Sequence, residues 1–313
     1  MSAISPHVVV CIVSYRTPRD VAACLQALAA STHRSFEVVV CENGGPDAFA
    51  ALQGAVGPSL PGGQPVTLIC APGNLGYAGG VNVCLAARPE ADAWWVLNPD
   101  TQPDPGAMAA LLERLAVGDC EAAGGPIRLP DGRIQSFGGH WRSWFARAVS
   151  IGHGAPVGET PDAETLERRL NYLSGASMMV SRKFLQAVGP MREDYFLYCE
   201  EVEWCLRARD KGMRLGYAPG GGVRHESGAS TGHVLSLKAR SRLSVRLNER
   251  NRLLLTRDLF PARLLVAAPA ALAILVIRYA KAGAWRQMLY ALGGWWAGLL
   301  NRRGPELPGR VEG

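Results

Sequence analysis

The chain has 313 residues, of which 48% are hydrophobic and 36 are glycine, a composition typical of a globular α/β protein with one large domain or two. Its eight cysteines form no Cys-x-x-Cys pair, which favours buried, reduced thiols in a cytosolic protein. No Lys or Arg precedes the apolar run at 8–15, which ends at polar residues, so we expect a first strand there and no signal peptide.

The charge is distributed unevenly along the chain. Residues 236–313 hold 14 Lys/Arg and 4 Asp/Glu, a net charge of +10, whereas residues 1–235 hold 19 and 23, a net charge of −4. A basic, apolar C-terminal segment behind a mildly acidic body favours an anionic membrane surface as a partner. Nucleic-acid binding is not expected, because the main domain has no stripe of basic residues interleaved with aromatic ones.

Apolar strands alternate with helical patterns along the chain. Strands are predicted at 8–15, 36–41, Val66–Cys70, Ala93–Leu97, 172–181, Leu215–Tyr217 and Val223–His225. One helix is predicted to begin at Pro18, and another follows the glycine-rich turn and ends at Ala87. Two more are predicted at 105–116 and 200–211. Because the early strands are continuous apolar runs joined by helical crossovers, we predict a mostly parallel sheet covered by helices on both faces.

A glycine-rich turn at 73–82 follows the third predicted strand. Glycines there would let the backbone approach a ligand, and the amides of the next helix would favour an anion. The turn lacks the spacing of a dinucleotide fingerprint and is not followed by the Gly-Lys-Ser/Thr of a Walker loop. Taken alone, a purely structural turn is an equal alternative.

Two acidic clusters indicate an enzyme. Asp100 follows the strand Ala93–Leu97, at the position where an open α/β sheet presents ligands, and Glu200, Glu201 and Glu203 lie about a hundred residues further on. The first carboxylate is suited to hold a metal ion and the second cluster to supply a base, which together predict metal-assisted group transfer from an anionic donor. The structural alternatives are a common Asn-Pro-Asp turn and acids that favour a helix N-terminus.

Two further segments are less regular. Residues 124–155 are rich in Gly, Arg and aromatic residues and suit either a mobile acceptor loop or an irregular surface segment. Residues 236–258 form a basic helical pattern, and the apolar run at 264–277 would span about 21 Å as a helix, short of the roughly 30 Å hydrocarbon core. Trp, Tyr and Arg residues are mixed in the sequence after this run, so we expect helices that lie in the plane of the membrane. A dimer interface and a spanning hairpin are the alternatives. We also expect a disordered tail at 303–313.

With these pieces in order, the chain resembles the family 2 glycosyltransferases, especially bacterial rhamnosyltransferase-like members, over about residues 7–257. The resemblance rests on eight segments in the family's order: 12–15 (IVSY), 39–43 (VVCEN), 74–82 (NLGYAGGVN), 97–100 (LNPD), 174–176 (SGA), 198–207 (YCEEVEWCLR), 225–228 (HESG) and 250–251 (RN). It implies a GT-A, Rossmann-like, mostly parallel sheet flanked by helices in residues 1–235, with a C-terminal helical extension in residues 236–313.

The resemblance also implies roles for particular residues. Glu201 would be the catalytic base, with Glu200 in support, and Asp100 and His225 would hold Mg²⁺ or Mn²⁺. The residues implied in donor binding are Ser14, Arg16, Glu42, Asn74, Gly76, Gly79, Gly80, Asn82, Asp100 and Gly175. Those implied in acceptor binding are Glu203 and Trp204. The chain departs from the usual family pattern at Glu42 and Glu201, where the family has Asp, and at Arg16, where it often has Asn.

The predicted function is therefore metal-dependent, inverting transfer of a sugar, with rhamnose from dTDP-rhamnose to be tried first, from a nucleotide diphosphate donor to a glycan or lipid-linked acceptor in cell-envelope polysaccharide synthesis. We expect a cytoplasmic enzyme peripheral on the inner face of the cytoplasmic membrane, with a homodimer as an open alternative. One rival is a sugar nucleotidylyltransferase, which would need Gly, Arg and Lys directly after the first strand. Another is a non-catalytic sugar-nucleotide-binding membrane scaffold, in which Glu201 is only a helix-start acid.

Overall fold

The computed structural model describes residues 5–156, 158–226 and 236–305. The strands are β1 (Val8–Ser14), β2 (Phe36–Glu42), β3 (Val66–Cys70), β4 (Ala93–Leu97), β5 (Thr101–Pro103), β6 (Ala122–Gly124), β7 (Ile127–Arg128), β8 (Ile134–Ser136), β9 (Gly139–Arg142), β10 (Arg147–Ser150), β11 (Ser177–Ser181), β12 (Leu215–Tyr217) and β13 (Val223–His225). The helices are α1 (Pro18–Ala29), α2 (Pro46–Ala55), α3 (Gly76–Ala87), α4 (Ala107–Ala116), α5 (Ala163–Arg169), α6 (Arg182–Val188), α7 (Glu200–Asp210), α8 (Arg242–Leu259), α9 (Leu264–Lys281) and α10 (Trp285–Leu299).

Seven strands form the central sheet, in the order β12-β6-β11-β4-β1-β2-β3. Neighbours are parallel except around β11, which runs antiparallel to both β4 and β6. Strand β1 is buried along its whole length, which explains why its sequence is a continuous apolar run without polar alternation. The prediction of a mostly parallel sheet flanked by helices is confirmed.

A second sheet of four strands, in the order β5-β13-β7-β8, carries one side of the site. Strand β5 follows directly after Asp100, and its pairing with β13 sets His225 opposite Thr101. Residues 124–155, for which the sequence left two interpretations open, contain four short strands: β7 and β8 belong to this sheet, and β9 and β10 form an antiparallel hairpin. The segment is therefore a β structure between the two acidic clusters.

The helices after residue 235 pack on the same core as the sheet. Leu253 and Leu254 of α8 lie in one hydrophobic cluster with Val9 of β1 and Val202 of α7. Helix α10 crosses α8 closely, because a Cβ on Gly294 would lie 2.3 Å from the carbonyl oxygen of Arg246. The shared core argues against an independent C-terminal unit, although the two-domain division itself stays a prediction.

Helix α9 is longer than its apolar sequence suggested, because Arg278 and Lys281 continue it for a further turn. In the part of the chain that the structure describes, one helix, Pro261–Lys281, is long and apolar enough to cross a membrane, and 28% of its apolar window is buried. Its buried face, which includes Ala267 and Ala271, belongs to the protein core. The segment 227–235, at the expected domain boundary, and residues 306–313 of the expected tail lie outside the described residues.

Candidate active site

Asp100 and His225 meet at the carboxyl edge of the parallel strands. His225 Nε2 lies 3.2 Å from Asp100 Oδ1, and both side chains are largely buried. His225 Nδ1 lies 2.9 Å from Gln135 Oε1, while the Asn98 amide nitrogen lies 3.4 Å from Nε2. With the amides in this orientation Nδ1 donates and Nε2 accepts, so that an imidazole lone pair and a carboxylate oxygen converge.

This arrangement suits a divalent cation, because in that tautomer an imidazole nitrogen and a carboxylate oxygen can both donate an electron pair to one ion. A carboxylate oxygen and an imidazole nitrogen are both ligands of Mn²⁺, and Mg²⁺ accepts few protein ligands when phosphates and water supply the rest. Among the described residues no group of three His, Cys, Asp or Glu forms a complete metal cage. The residues present therefore fit an ion that shares its coordination with a phosphorylated ligand.

Glu200 and Glu201 begin α7 on the other side of the site. Burial and the neighbouring charge of Glu201 raise the pKa of Glu200 to about 8. Burial also raises the pKa of Glu201. Glu200 Oε2 is buried and has no hydrogen-bond partner among the described residues. Adjacent carboxyl groups with raised pKa values and incomplete hydrogen bonding are characteristic of functional sites.

Gly175 and Tyr77 connect the two acidic groups. A Cβ on Gly175 would lie 3.3 Å from Glu201 Cγ, so the glycine makes room for that side chain. The Tyr77 hydroxyl donates to the Gly175 carbonyl at 2.7 Å. The pKa of Tyr77 is raised by burial and then by the charges of Glu200, Glu201 and Asp100. Sequence reasoning placed Tyr77 in a motif but did not identify it as a site residue.

Ser14, Arg16 and Glu42 lie where β1 and β2 end. The buried Glu42 carboxylate accepts from the Ser14 hydroxyl at 2.5 Å and from the backbone amides of Arg16 at 3.0 Å and Gly44 at 2.7 Å. These bonds fix the ends of two neighbouring parallel strands. In this structure Glu42 organises the loops at the sheet edge, and its direct contact with a nucleotide stays a prediction.

The glycine-rich turn packs closely between β1 and the loop before α7. Gly76 has φ +73°, and a Cβ there would lie 2.1 Å from the Phe196 carbonyl oxygen, so only glycine suits the position. Its amide donates to Asn74 Oδ1 at 3.0 Å. A Cβ on Gly80 would meet Val13 at 2.6 Å. The glycines therefore have a packing role, which was the structural alternative, in addition to any contact with donor.

Two further residues of the same motif, Gly79 and Asn82, also contact other parts of the protein. A Cβ on Gly79 would lie 2.6 Å from Leu75 Cβ. The Asn82 amide nitrogen donates to the Met191 carbonyl at 2.9 Å, and its oxygen accepts from the Met191 amide at 3.0 Å. Asn82 thus ties α3 to the segment after α6, and nothing in this arrangement directs it toward a donor.

The contact of Glu203 and Trp204 with the acceptor stays a prediction, and in this structure both side chains are buried. Trp204 has no exposed surface, donates from Nε1 to the Gly189 carbonyl at 2.8 Å and packs edge-to-face on Phe184. The Glu203 carboxylate is buried and pairs with Arg207 at 2.8 Å. Both side chains are buried in the core on which α7 packs.

The loop before α7 has an unusual backbone. Phe196, Tyr198 and Cys199 have φ values of +67°, +75° and +72°, a region that non-glycine residues rarely occupy. The Asn251 amide nitrogen lies 2.8–2.9 Å from the carbonyl oxygens of Tyr195, Leu197 and Tyr198. Arg250 Nη2 donates to the Tyr195 carbonyl at 2.9 Å. Helix α8 therefore holds the strained loop that presents Glu200 and Glu201.

A central, mostly parallel sheet flanked by helices is the architecture of the GT-A class of glycosyltransferases. The chain belongs to the glycosyltransferase-like family 2, whose sequence profile matches residues 6–244. It is accordingly a glycosyltransferase, as the sequence predicted.

One relative and two solved structures place the chain within this class. It is 30% identical, over 229 aligned positions that cover 66% of the chain and 72% of the relative, to the N-acetylglucosaminyl-diphospho-decaprenol L-rhamnosyltransferase of Mycobacterium tuberculosis. Its fold is similar to the mannosyltransferase PcManGT from Pyrobaculum calidifontis in complex with GDP-Man and Mn²⁺, with a TM-score of 0.58, 15% identity, and coverage of 96% of this chain and 89% of that one. Staphylococcus aureus TarS 1–349 gives a TM-score of 0.56 at 13% identity, with coverage of 95% and 82%. At these identities, the structural likeness concerns the fold alone.

Proposed function

We propose that this chain transfers L-rhamnose from a nucleotide diphosphate, with dTDP-rhamnose as the first donor to test, to a lipid-linked N-acetylglucosaminyl diphosphate. The observation that carries the proposal is that Gly175, whose carbonyl accepts from Tyr77 of the glycine-rich turn, leaves room for the Glu201 side chain, while Asp100 pairs with His225 where β4 ends. An acceptor base and a donor-phosphate site must lie on opposite sides of one sugar for such a transfer. The rhamnosyltransferase relative supports the choice of sugar and acceptor.

Asp100 and His225 would hold Mg²⁺ or Mn²⁺ beside the donor diphosphate. When bound, the ion neutralises the negative charge that develops on the departing nucleotide diphosphate. Gln135 accepts from His225 Nδ1 and so keeps Nε2 directed at Asp100. Loss of the hydrogen bond between Gln135 and His225 is expected to weaken ion binding, although both ligands would remain.

Glu201 would act as the base. As the acceptor hydroxyl oxygen bonds to the anomeric carbon, Glu201 takes its proton, and the bond from that carbon to the diphosphate oxygen breaks on the opposite face. The product therefore has the inverted anomeric configuration. Glu200, with a pKa of about 8, holds a proton at neutral pH, so Glu201 is the carboxyl group of the pair that we assign as the proton acceptor.

The purified enzyme should be incubated with dTDP-rhamnose, Mn²⁺ and a short-chain prenyl-diphospho-N-acetylglucosamine, and the product linkage determined by NMR. The proposal expects rhamnosylated acceptor with inverted configuration from the wild type, and almost none from Glu201→Gln. Product with retained configuration, or folded enzyme inactive with every nucleotide sugar in a panel, would contradict the proposal.

We also propose that the C-terminal helices rest on an anionic membrane surface. Large apolar side chains are exposed on α9 and α10, including Leu265 (86%), Leu289 (67%) and Trp285 (61%). Arg263 lies 5.0 Å from the ring of Trp144, which is half-exposed at the tip of the β9–β10 hairpin. Exposed Leu and Trp beside arginine suit the interfacial region of a bilayer, where a lipid-linked acceptor has its polar end.

A further inference from the structure

After its last helix, the chain returns to the loop before α7. Residues 301–304, here called the C-terminal strap, follow α10 and contact residues 192–199, here called the catalytic loop. The Gly304 amide donates to the Asp194 carbonyl at 2.7 Å. The Gly304 carbonyl accepts from Arg250 Nη1 of α8 at 2.7 Å. The strap is therefore bonded both to the catalytic loop and to the helix that holds this loop.

Arg303 belongs to an ion-pair network that joins the strap, the catalytic loop and the end of α8. Its guanidinium group lies 2.7 Å from Asp194 Oδ2 and 2.6 Å from Asp258 Oδ1. Arg192 pairs with the same two carboxylates, at 2.6 Å and 2.9 Å. The Tyr195 hydroxyl donates to Asp258 Oδ2 at 2.6 Å. The side chains of Arg303 and Asp258 are only 22% and 11% exposed, so salt and water screen this network less than an ordinary surface pair.

The backbone of the strap directs Arg303 toward the network. Asn301 follows α10 with φ +56°, a left-handed conformation that asparagine tolerates better than most residues. Its side-chain oxygen accepts from Arg303 Nε at 3.0 Å. The adjacent Arg302 is exposed, and in the described part of the chain no carboxylate forms an ion pair with it. The two neighbouring arginines therefore differ in their contacts, which makes Arg302 a matched control.

The catalytic loop also contacts the glycine-rich turn. The Phe196 carbonyl accepts from the Tyr77 amide at 2.8 Å, and Glu193 Oε1 accepts from the Asn82 amide nitrogen at 2.9 Å. Glu201 is the second residue of α7, which begins directly after the loop. Because three non-glycine residues of the loop have positive φ values, its shape depends on contacts from outside. The strap therefore helps to hold the segment that leads into Glu201.

We infer, on the basis of the proposed function, that Arg303 is a positioning residue for Glu201. Arg303 holds the catalytic loop through Asp194, and the loop fixes the first turn of α7. Without Arg303, Asp194 and Asp258 would share one arginine, and the strap would keep only its main-chain bonds to the loop and to α8. A displacement of about 1 Å at a catalytic group can lower a rate about 100-fold, so a small movement of the loop would impair proton transfer.

Transfer kinetics and donor binding should be measured for Arg303→Gln, Arg303→Lys and the control Arg302→Gln, at a temperature where all are folded. In Arg303→Gln, kcat for transfer from dTDP-rhamnose to a short-chain prenyl-diphospho-N-acetylglucosamine should fall at least about tenfold. The Kd for dTDP-rhamnose with Mn²⁺ should change by less than about twofold. Arg303→Lys should recover part of kcat, because lysine keeps the charge but lacks the planar fork that reaches two carboxylates. Arg302→Gln should behave as the wild type does.

Hydrogen–deuterium exchange tests the same contacts without catalysis. The amides of the catalytic loop should exchange faster in Arg303→Gln than in the wild type, and at the wild-type rate in Arg302→Gln. Wild-type kcat in Arg303→Gln, even with a lower melting temperature, would overturn the inference, because the arginine would then be purely structural. An equal loss of kcat in Arg302→Gln would also overturn it, because the effect would follow from the loss of one positive charge.

The two measurements together separate this inference from the proposed function. Faster exchange of the catalytic loop in Arg303→Gln, with a wild type that transfers no sugar from any nucleotide sugar, would refute the proposed function and leave Arg303 as a residue that holds this loop. Unchanged exchange in Arg303→Gln, with an active wild type, would refute the inference and leave the proposed function in place.

Discussion

Glu200 and Glu201 are neighbours in the chain but have different surroundings. Glu200 is 3% exposed and one of its carboxyl oxygens has no hydrogen-bond partner in the described part of the chain, whereas Glu201 is partly exposed and lies against Gly175. A base must reach the acceptor hydroxyl, which favours the more accessible of the two carboxyl groups. We therefore expect substitution of Glu201 to affect catalysis and substitution of Glu200 to affect stability.

Replacement of Glu201 by Gln should remove the proton acceptor and keep the shape of the side chain. We expect kcat to fall by about 10²–10⁴-fold, with the affinity for nucleotide sugar unchanged. Steady-state transfer kinetics and donor titration measure the two quantities. Glu164→Gln, on the exposed surface of α5, is the matched control and should retain full activity. A Glu201→Gln enzyme with more than about half of wild-type kcat would remove Glu201 from the mechanism.

Replacement of Glu200 by Gln should alter how stability depends on pH. The folded pKa of about 8 exceeds the unfolded value of 4.5, so the protonated wild type is favoured at low pH and loses stability as pH rises through about 8. Glutamine has no such loss. The melting temperature of Glu200→Gln relative to wild type should therefore increase by at least about 2 °C between pH 5 and pH 9. A difference that is constant or shrinks over that range would contradict the buried-acid interpretation.

At the scale of single residues, the sequence indicated which residue types lie near the site better than it indicated which side chains are buried. Asp100 was placed by its position after a buried strand, and the structure puts it beside His225. The burial of Trp204 and Glu203 was not foreseen, because the sequence did not show which face of α7 packs into the core. Tyr77 was missed because its contact with Gly175 joins residues 98 positions apart.

At the scale of elements, α8 controls the shape of the loop before α7. Three residues of that loop have positive φ values, and such backbone persists only when surrounding contacts hold it. Asn251 supplies those contacts from a fully buried position. The pair Arg250-Asn251 was recognised from the sequence only as a family motif, since its partners lie more than fifty residues earlier in the chain.

Replacement of Asn251 by Ala should release the loop and leave buried carbonyl groups without donors. We expect the free energy of unfolding to fall by about 1–3 kcal/mol and kcat to fall at least tenfold, because Glu201 loses its fixed position. Leu253→Ala in the same helix is the control for stability, with a cost of about 2–5 kcal/mol and little change in kcat at a temperature where it is folded. Equal loss of kcat in both variants would show that general destabilisation is responsible.

The sequence predicted the bounds of several strands correctly but missed the strands between residues 127 and 150. The bounds of β3, β4, β12 and β13 match the sequence prediction. The strand expected at 172–181 covers only Ser177–Ser181, because Tyr172 pairs with Gly139 of the hairpin before the chain turns. Strands of two to four residues such as β7 to β10 depend on partners elsewhere in the chain, and their own sequences carry little periodicity.

At the scale of the whole molecule, the C-terminal helices connect the catalytic core to the proposed membrane surface. Helix α8 holds the catalytic loop, while α9 and α10 expose apolar side chains on the outside. The charge asymmetry predicted a membrane-facing segment, but sequence alone did not show that its inner face joins the core. One face of these helices therefore packs in the core and stabilises the protein, and the other face is exposed and could contact lipid.

The double variant Leu265→Ser/Leu289→Ser should bind membranes more weakly because it removes two exposed apolar side chains. We expect the wild type to cosediment with phosphatidylglycerol vesicles, less so at high salt, and the variant to show at least about a tenfold lower partition coefficient. Val117→Ser, an exposed apolar residue on the main domain, is the control and should bind as the wild type does. Unchanged vesicle binding, or a wild-type dimer that the double variant converts to monomer, would favour the dimer interface.

The central claim, a donor site built on Asp100 and completed by a divalent cation next to the base Glu201, is tested most directly by thermal stabilisation with a panel of nucleotide sugars and Mn²⁺. The account predicts that one nucleotide sugar raises the melting temperature of the wild type and of Glu201→Gln. The effect should disappear with EDTA and in Asp100→Ala. Stabilisation that persists in Asp100→Ala, or a folded wild type that no nucleotide sugar stabilises, would contradict it.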